Sequence, residues 1–359
     1  MKILHVITSL KIGGAEKLIT DLVPLLRMRG CTIEVLLFDG IDTFLKEILR
    51  KQNILIIEFS CSGNVYSISN LLNLRKIINK YDIVHSHNTA CQYFVALAAV
   101  TLYTRPILVT TEHSTDNRRR KILFFRYLDK WMYHSYDAII SISEKTSLCL
   151  QNYLDEQLGN LYTINNGINL KTFEAVNSVV INDSRFKILM VAGFRQEKDQ
   201  DTLIRAMVHL GKDYVLWLVG DGTRKTECEN IVIQLDLKEQ VLFWGVRKDV
   251  PAILKAADVV VMSSHWEGFG LAAVEGMVAH KPVIASNVPG LAEVVGGAGL
   301  LFDSGDEQDL AKKIVLLFKD KEKYMEIAEA CFIRSQQFDI NIMVDKYYAL
   351  YQYLIKKRV

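Results

Sequence analysis

Short apolar runs alternate with longer amphipathic stretches along almost the whole chain, a pattern typical of strands that alternate with helices. In the first half, the runs that predict buried strands are 2–8, 32–38, 54–58, 82–86, 107–112, 137–142 and 161–165. In the second half, they are 187–192, 214–219, 241–244, 258–262, 282–286 and 299–302. The stretch 15–29, after the first run, has helical periodicity. This alternation predicts doubly wound parallel sheets of the α/β class.

A polar, weakly periodic segment, 171–185, separates the two series and is the best linker candidate. A length of 359 residues also fits two domains, at about 150 residues each. We therefore predict two Rossmann-like domains, 1–172 and 186–338, that face each other across a cleft.

Composition excludes several classes of protein. The chain has 43 Lys and Arg against 41 Asp and Glu, so its formal charge of +2 is too small for a dedicated nucleic-acid binder. Its six cysteines are scattered without a C-x-x-C pair, which argues against a zinc or disulfide framework and fits a reducing compartment. The longest apolar run, 93–103, is too short to span a bilayer, and the N-terminus does not resemble a signal peptide. We expect a cytoplasmic protein, soluble or peripheral on the inner face of the cytoplasmic membrane.

In open α/β sheets, ligands bind at the carboxyl ends of the strands. After the first strand, Gly13 and Gly14 allow a ligand to approach the main chain, and the helix that follows favours an anion. The dinucleotide fingerprint G-x-G-x-x-G is absent here. A tight turn would also need glycine, so this loop alone leaves both interpretations open.

A stronger signal follows the strand 258–262, where the loop 263–270 leads into a helix. Gly268 and Gly270 free successive N–H groups to point at a phosphate. Glu267 lies in that loop, and Glu275 lies further along the helix. Two carboxylates so placed can accept hydrogen bonds from a sugar and from a ribose. The alternative is a solvated loop acid and an ordinary surface acid, which the glycine-flanked loop disfavours.

This loop resembles the E-x7-E motif of the GT4 family of retaining glycosyltransferases, which have the GT-B fold. Further segments resemble the same family over nearly the whole chain: GGAEK at 13–17, DIVHSHN at 82–88, TEHS at 111–114, INNGINLKTF at 164–173, GFRQEKDQDTLIRAM at 193–207, LVGDG at 218–222, WGVRKDVPAILKAADVVVMSS at 244–264 and VPGLAEVV at 288–295. The resemblance implies an acceptor-binding first domain, a second domain that binds a nucleotide sugar, and a terminal helix, 339–359, that returns to the first domain.

By that resemblance, Glu267 holds the transferred sugar and Glu275 the donor ribose. The other donor-binding groups are main-chain or turn positions: Gly14, Gly245, Val246, Gly268, Phe269, Gly270 and Leu271. The family's phosphate lysine matches Lys198. Its arginine would fall at Gly193, whereas this chain offers Arg195, which we predict to reach the same phosphate. The alternative is that Arg195 and Lys198 form a surface turn with Glu197.

Fixed cations and helix N–H groups would stabilise the charge of a departing nucleoside diphosphate. We find neither a D-x-D acidic pair after a strand nor a cluster with metal-ligand spacing, so we expect catalysis without a metal or another cofactor. His113 resembles the family histidine that contacts the donor sugar. His85 and His87 share one face of a strand end, where His87 and Asn88 are candidates for the acceptor side. Simple packing is the alternative for His85.

The segment 115–134 interleaves basic and aromatic residues. Such a segment suits an anionic membrane surface, where it could bring a lipid-linked acceptor to the first domain. The alternative is a core helix with a solvated, basic N-terminus. We therefore expect a metal-independent, retaining transferase that moves a sugar from a UDP- or GDP-activated donor, with UDP favoured, to a glycan acceptor. The expected acceptor is a lipid-linked precursor of a surface polysaccharide. A catalytically silent subunit of the same fold, or a sugar-nucleotide epimerase, remains as an alternative.

Overall fold

The computed structural model describes residues 1–11, 13–59, 65–113, 120 and 122–358. It divides into two compact units. The first consists of Met1–Gly167 together with Ile340–Val359, and the second of Ile168–Asp339. The unit boundary therefore lies five residues before the predicted position 172. The reason is local: Ile168 bridges to Asp339, and its N–H donates to the Phe338 carbonyl at 2.8 Å.

The first unit is built on a seven-stranded sheet of order β3-β2-β1-β4-β5-β6-β7, in which every neighbouring pair is parallel. Its strands are β1 (Lys2–Ile7), β2 (Thr32–Leu37), β3 (Leu55–Glu58), β4 (Ile83–His87), β5 (Ile107–Glu112), β6 (Ala138–Ser141) and β7 (Leu161–Thr163). Its helices up to residue 154 are α1 (Gly14–Met28), α2 (Phe44–Lys51), α3 (Ile68–Ile77), α4 (Thr89–Val100), α5 (Leu123–His134) and α6 (Glu144–Leu154).

Alternate strand residues face opposite sides of this sheet. Ile3 and Ile7 of β1 join the core that includes α1 and α2, whereas Leu4 and Val6 join the core that includes α3, α4 and α6. Because both faces are covered, the strands consist of near-continuous apolar runs.

The second unit has a six-stranded sheet of order β10-β9-β8-β11-β12-β13, also parallel throughout. Its strands are β8 (Phe186–Val191), β9 (Tyr214–Val219), β10 (Val241–Gly245), β11 (Val259–Met262), β12 (Val283–Ser286) and β13 (Leu300–Phe302). Its helices are α7 (Lys171–Glu174), α8 (Gln200–Ala206), α9 (Lys225–Gln234), α10 (Val250–Ala256), α11 (Leu271–Val278), α12 (Pro289–Val295), α13 (Glu307–Lys319) and α14 (Lys321–Ser335).

The last helix, α15 (Ile340–Arg358), packs on the sheet of the first unit. Its Tyr347 and Tyr351 are fully buried, and the Tyr351 hydroxyl lies 2.6 Å from Nδ1 of His85. The predicted α/β class, with two parallel sheets and a terminal helix that returns to the first unit, is confirmed. No described helix is both long and apolar enough to cross a membrane.

Candidate functional site

In the second unit, two loops meet where neighbouring strands end. The loop after β8 carries Lys198, which closes a short 3-10 turn, Gln196–Lys198. Asp199 follows with a φ of 48° and caps α8, where its carboxylate accepts a 2.6 Å hydrogen bond from the Thr202 hydroxyl. Because Asp199 is buried, its pKa is raised above the ordinary value.

The loop after β11 is tied directly to the loop after β8. The Ser263 hydroxyl donates to the Asp199 carbonyl at 2.7 Å, and the His265 N–H donates to the Glu197 carbonyl at 2.9 Å. Nε2 of His265 also lies 3.5 Å from a carboxylate oxygen of Asp199. Main-chain and side-chain hydrogen bonds thus fix the position of the two loops relative to each other, and this determines where their charged side chains lie.

These ties bring Lys198 and Glu267 together as an ion pair. Both side chains are mostly buried, at 14% and 17% exposure. The other carboxylate oxygen of Glu267 accepts a 3.3 Å hydrogen bond from the N–H of Gly268. The predicted sugar-binding acid and phosphate-binding lysine are therefore direct neighbours at the carboxyl edge of the sheet.

Gly270 caps α11 with a φ of +97°, a conformation that L side chains rarely adopt. The side chain of Phe269 is buried, with its ring 5.4 Å from that of Phe338, so only its main chain is available to a ligand. The first N–H groups of a helix have no partner within the helix, which makes this end of α11, at Leu271, suitable for an anion. Glu275 lies in the same helix.

A close main-chain approach fixes the loop that carries Glu267. A Cβ placed on Gly290 would lie 2.2 Å from the Glu267 carbonyl oxygen, far inside van der Waals contact. Gly290 lies in the first turn of α12, within the segment VPGLAEVV. Glycine at this position lets α12 pack directly against the loop.

Arg195 and the predicted base-binding turn are more exposed. The Arg195 side chain is 60% exposed, with its Nε 3.1 Å from a Glu197 carboxylate oxygen. The surface-turn alternative therefore describes Arg195 but not Lys198, whose partner is Glu267. Gly245 ends β10 with a φ of +64°, and its carbonyl accepts from the Gly220 N–H at 2.9 Å.

In the first unit, Gly14 begins α1 and Gly13 caps it. Asn88 has a φ of 57° and donates from Nδ2 to the Thr8 hydroxyl at 3.2 Å. Asn88 directly follows β4, and Gly14 lies between β1 and α1, at the start of the helix.

His113 follows β5 and contacts His87, with 3.2 Å between Nε2 of His113 and Nδ1 of His87. The side chain of His87 is fully buried, and its Nε2 lies 3.0 Å from Nδ1 of His5. Burial lowers the pKa of His113 to about 4 and that of His5 to about 3. The structure thus places His87 in the interior, behind His113.

Two family models match the chain, and together they span most of it. The family described as Glycosyltransferase Family 4 matches residues 12–172, and the one described as Glycosyl transferases group 1 matches residues 172–332. The chain belongs to glycosyltransferase family 4. It is therefore a glycosyltransferase, and the two models between them match both units.

Relatives of this family 4 chain are similar over most of their length. An uncharacterized glycosyltransferase of Methanocaldococcus jannaschii is 29% identical over 322 residues, 87% of this chain and 86% of the relative. The UDP-Gal:alpha-D-GlcNAc-diphosphoundecaprenol alpha-1,3-galactosyltransferase of Escherichia coli is 27% identical over 281 residues, 72% of each chain.

Solved structures share the fold of the family 4 chain. Anabaena HepE in complex with UDP and glucose has a TM-score of 0.86 at 23% identity, covering 98% of this chain and 99% of HepE. Sucrose-phosphate synthase of Thermosynechococcus elongatus has a TM-score of 0.81 at 20% identity, covering 99% of each. The predicted GT-B fold is confirmed.

Four residues in or beside the predicted site loops and side chains were not identified from the sequence: His5, Asp199, His265 and Gly290. His5 gives no signal in the sequence, because only the register of β1 beside β4 sets it opposite His85. Asp199 directly follows Lys198, but only the folded loop shows that it is a buried helix cap. Part of the predicted membrane segment, 115–119 and 121, lies outside the described residues.

Proposed function

We propose that this glycosyltransferase moves a sugar from a UDP-sugar to a glycan acceptor, with retention of configuration and without a metal ion. The observation that carries the proposal is the Lys198–Glu267 ion pair beside the glycine-capped start of α11. A cation and a helix N-terminus at one sheet edge match the diphosphate of a nucleotide-sugar donor, and the carboxylate beside them matches its sugar.

The chemistry follows from where charge develops. As the bond between sugar and diphosphate breaks, negative charge grows on the leaving phosphate oxygens. Lys198 and the first N–H groups of α11 are proposed to stabilise that charge, and Arg195 to add a second cation. When Lys198 turns to the diphosphate, the carboxylate of Glu267 becomes free to accept hydrogen bonds from sugar hydroxyls. Glu275 is proposed to hold the ribose, and the main chain at Gly245 and Val246 to contact the base.

Retention is the stereochemical outcome that the family resemblance implies. In the proposed reaction the acceptor attacks from the face that the diphosphate leaves, and the leaving phosphate takes the acceptor proton. His113 is proposed to contact the donor sugar as positive charge develops on it. Proton NMR of the first product formed distinguishes the anomers: an α-linked product from an α-linked UDP-sugar supports retention, and a β-linked product contradicts it.

The choice of UDP and of a lipid-linked acceptor draws on the relatives. HepE is described in complex with UDP and glucose, and the E. coli relative is named for transfer from UDP-Gal to a sugar on diphosphoundecaprenol. We infer a related acceptor here, a sugar carried on a polyprenyl diphosphate, and propose Asn88 as a contact on the acceptor side. His87 is buried and is proposed to act there only through His113, which it contacts.

A lipid-linked acceptor requires access to a membrane surface, and α5 offers an exposed apolar stripe for it. Leu123, Phe124 and Tyr127 are 73%, 67% and 76% exposed, and Trp131 follows one turn later at 39%. Aromatic side chains on one face of a surface helix suit the interface of a bilayer. We infer that this stripe contacts the membrane.

Three basic residues of this segment that the structure describes are engaged in ion pairs within the protein. The Arg120 side chain is 8% exposed, with a guanidinium nitrogen 3.5 Å from the carboxylate of Glu112. Lys130 pairs with Glu156 at 2.6 Å, and Arg126 with Asp155 at 3.1 Å. Among the described residues of the segment, the proposed membrane contact therefore depends chiefly on apolar side chains.

Vesicle co-sedimentation tests the membrane contact. The double variant Phe124→Ser/Tyr127→Ser should bind phosphatidylglycerol vesicles about tenfold more weakly or worse, since burial of one large apolar side chain contributes about 1.5–3 kcal/mol. The control Met325→Ser/Ile333→Ser removes two apolar side chains of α14 that are 66% and 60% exposed. Equal binding by both variants and the wild type would contradict the contact.

We also infer that the protein works in the cytoplasm. Its described cysteines are all unpaired, and Cys31, Cys91, Cys228 and Cys331 are buried. Free thiols are typical of reducing compartments.

Turnover of the donor tests the proposed reaction. The protein is incubated in EDTA with UDP-glucose, UDP-galactose, UDP-N-acetylglucosamine or GDP-mannose, with and without a polyprenyl-diphosphate sugar, and UDP or GDP release is measured. Release that the acceptor accelerates, and that Glu267→Ala abolishes in a folded protein, supports the proposal. Release of nucleotide at the same rate without acceptor would instead indicate an epimerase or a hydrolase.

A further inference from the structure

A line of three hydrogen-bonded imidazoles runs through the interior of the first unit to His113. Nδ1 of His5 lies 3.0 Å from Nε2 of His87, and Nδ1 of His87 lies 3.2 Å from Nε2 of His113. We call these three residues the histidine chain. His5 and His87 lie on the neighbouring strands β1 and β4, and His113 directly follows β5, which pairs with β4.

Each ring of the histidine chain is neutral at pH 7. The rings of His5 and His87 have no exposed surface, and burial lowers the pKa of all three side chains well below neutral pH. A neutral imidazole has one N–H donor and one acceptor nitrogen. The proton position in one ring therefore dictates the proton position in the next.

Only two arrangements satisfy both hydrogen bonds. In the first, every ring carries its proton on Nδ1, so His5 donates to His87 and His87 donates to His113. In the second, every ring carries its proton on Nε2, and both bonds run the other way. A mixed arrangement would set two protons, or two lone pairs, against each other.

The buried end of the histidine chain, at His5, distinguishes the two arrangements. Nε2 of His5 is buried and has no hydrogen-bond partner among the residues that the structure describes. In the Nδ1 arrangement it is an unpaired acceptor, whereas in the Nε2 arrangement it is an unpaired N–H donor. Among buried main-chain groups, an N–H without a partner is rarer than a carbonyl without one. The same reasoning applied to the imidazole favours the Nδ1 arrangement.

We propose that His5 and His87 are positioning residues that hold His113 in the tautomer with its proton on Nδ1. His113 then presents a hydrogen-bond donor and no acceptor, so the ligand group that it meets must be an oxygen that accepts, such as a sugar hydroxyl. That consequence rests on the proposed function, whereas the tautomer itself does not.

The neighbouring His85 does not belong to the chain. Its Nδ1 is 2.6 Å from the Tyr351 hydroxyl and its Nε2 is 2.7 Å from the Thr111 hydroxyl. Hydroxyl groups can donate or accept, so His85 is satisfied in either tautomer. His5, His85 and His87 also lie close enough to hold a metal ion. However, a metal would have to replace hydrogen bonds that His85 and His87 already make.

Nitrogen-15 NMR of protein labelled at histidine reads the tautomers directly, without any substrate. Two-bond nitrogen–proton correlations should show the proton on Nδ1 in His5, His87 and His113 at pH 7. The signals of each ring are assigned by their disappearance in the variant that removes it: His5→Phe, His87→Leu or His113→Ala. A mixture of tautomers, protons on Nε2, or an imidazolium in any of the three overturns the proposal. Stoichiometric binding of added Zn²⁺ that shifts these signals also overturns it.

Kinetics then separates positioning from packing. His87→Leu should lower kcat about tenfold, the equivalent of one hydrogen bond, and should have little further effect in a His113→Ala background. The control His85→Gln, on the same strand, should have the same effect in both backgrounds. An equal loss from His87→Leu with and without His113 overturns the positioning role. Were the protein to show no transfer at all, the NMR result would still test the tautomer.

Discussion

Lys198 and Glu267 form an ion pair that joins the loops after β8 and β11 while both side chains are mostly buried. In the free protein, the carboxylate proposed for the sugar is thus neutralised by the lysine proposed for the phosphate. A donor would supply each with a new partner, a diphosphate for the lysine and hydroxyl groups for the acid. The pair keeps both charges satisfied until the donor arrives.

A double-mutant cycle measures this pairing. Lys198→Met and Glu267→Gln should each lower the free energy of unfolding by about 1–3 kcal/mol, since each leaves a partly buried polar group without its partner. The double variant should lose less than the sum of the two, with a coupling of about 1 kcal/mol or more.

The matched control for this cycle is Lys313 and Asp309, a helix pair at 2.5 Å with side chains 23% and 31% exposed. Its coupling should be about 0.3–0.5 kcal/mol, as for other pairs one helical turn apart. Denaturant unfolding of the variants gives these values. Equal coupling in the two pairs would argue that Lys198 and Glu267 form an ordinary surface contact.

Gly290→Ala should displace the loop that carries Glu267. The added Cβ would overlap the Glu267 carbonyl, so we expect a loss of stability of about 1–3 kcal/mol and a weaker affinity for UDP. Gly211→Ala is the control, because a Cβ there meets nothing within 4 Å. Thermal unfolding with and without UDP measures both effects, and wild-type behaviour of Gly290→Ala would show that the loop does not depend on this contact.

Arg195→Ala tests whether this arginine reaches the leaving phosphate. Because its side chain is 60% exposed, the substitution should change stability by less than about 0.5 kcal/mol. If Arg195 is the second phosphate cation, kcat should fall about 100-fold or more, whereas Arg205→Ala, at an exposed position of α8, should have no effect. An unchanged kcat for Arg195→Ala would restrict its role to the turn with Glu197.

The strands were predictable because they are buried on both faces. Every predicted strand is present with ends within two residues, since a parallel sheet covered on both sides needs continuous apolar runs. The loop glycines and Glu267 were predictable for a related reason: they directly follow such runs, and strand ends are where ligands bind.

Pairing within the site was not predictable from the sequence. The contact of Lys198 with Glu267 depends on the left-handed turn at Asp199 and on the Ser263 hydrogen bond between the loops. His5 was overlooked because a histidine inside an apolar run has no partner in the sequence itself. Only the register of β1 beside β4 brings it to His87.

The buried histidines should make stability depend on pH. They bind protons near pH 6.5 when the chain is unfolded, at about the ordinary pKa of histidine, but only well below that when it is folded. The unfolded state therefore takes up protons first as the pH falls from about 6.5, and the free energy of unfolding decreases by about 1.4 kcal/mol per pH unit for each such histidine.

His85→Gln should therefore cost less stability at pH 5 than at pH 7.5, because it removes one of these histidines. Gln92→Leu is the control: it removes a buried amide that does not titrate and that is hydrogen-bonded to Thr110, and should cost the same at both pH values. Urea unfolding at the two pH values gives the comparison. Parallel losses for His85→Gln would mean that the folded state protonates His85 as readily as the unfolded chain does.

The central claim is that the edge of the second sheet holds a nucleoside diphosphate sugar through Lys198 and α11. A thermal-shift panel of UDP, GDP and their sugars in EDTA tests it most directly, since a ligand at 100 times its Kd stabilises a protein by about 2.7 kcal/mol. We predict a shift with UDP and UDP-sugars that is lost in Lys198→Ala and retained in Lys313→Ala. No shift with any nucleotide, or an undiminished shift in Lys198→Ala, would contradict the account.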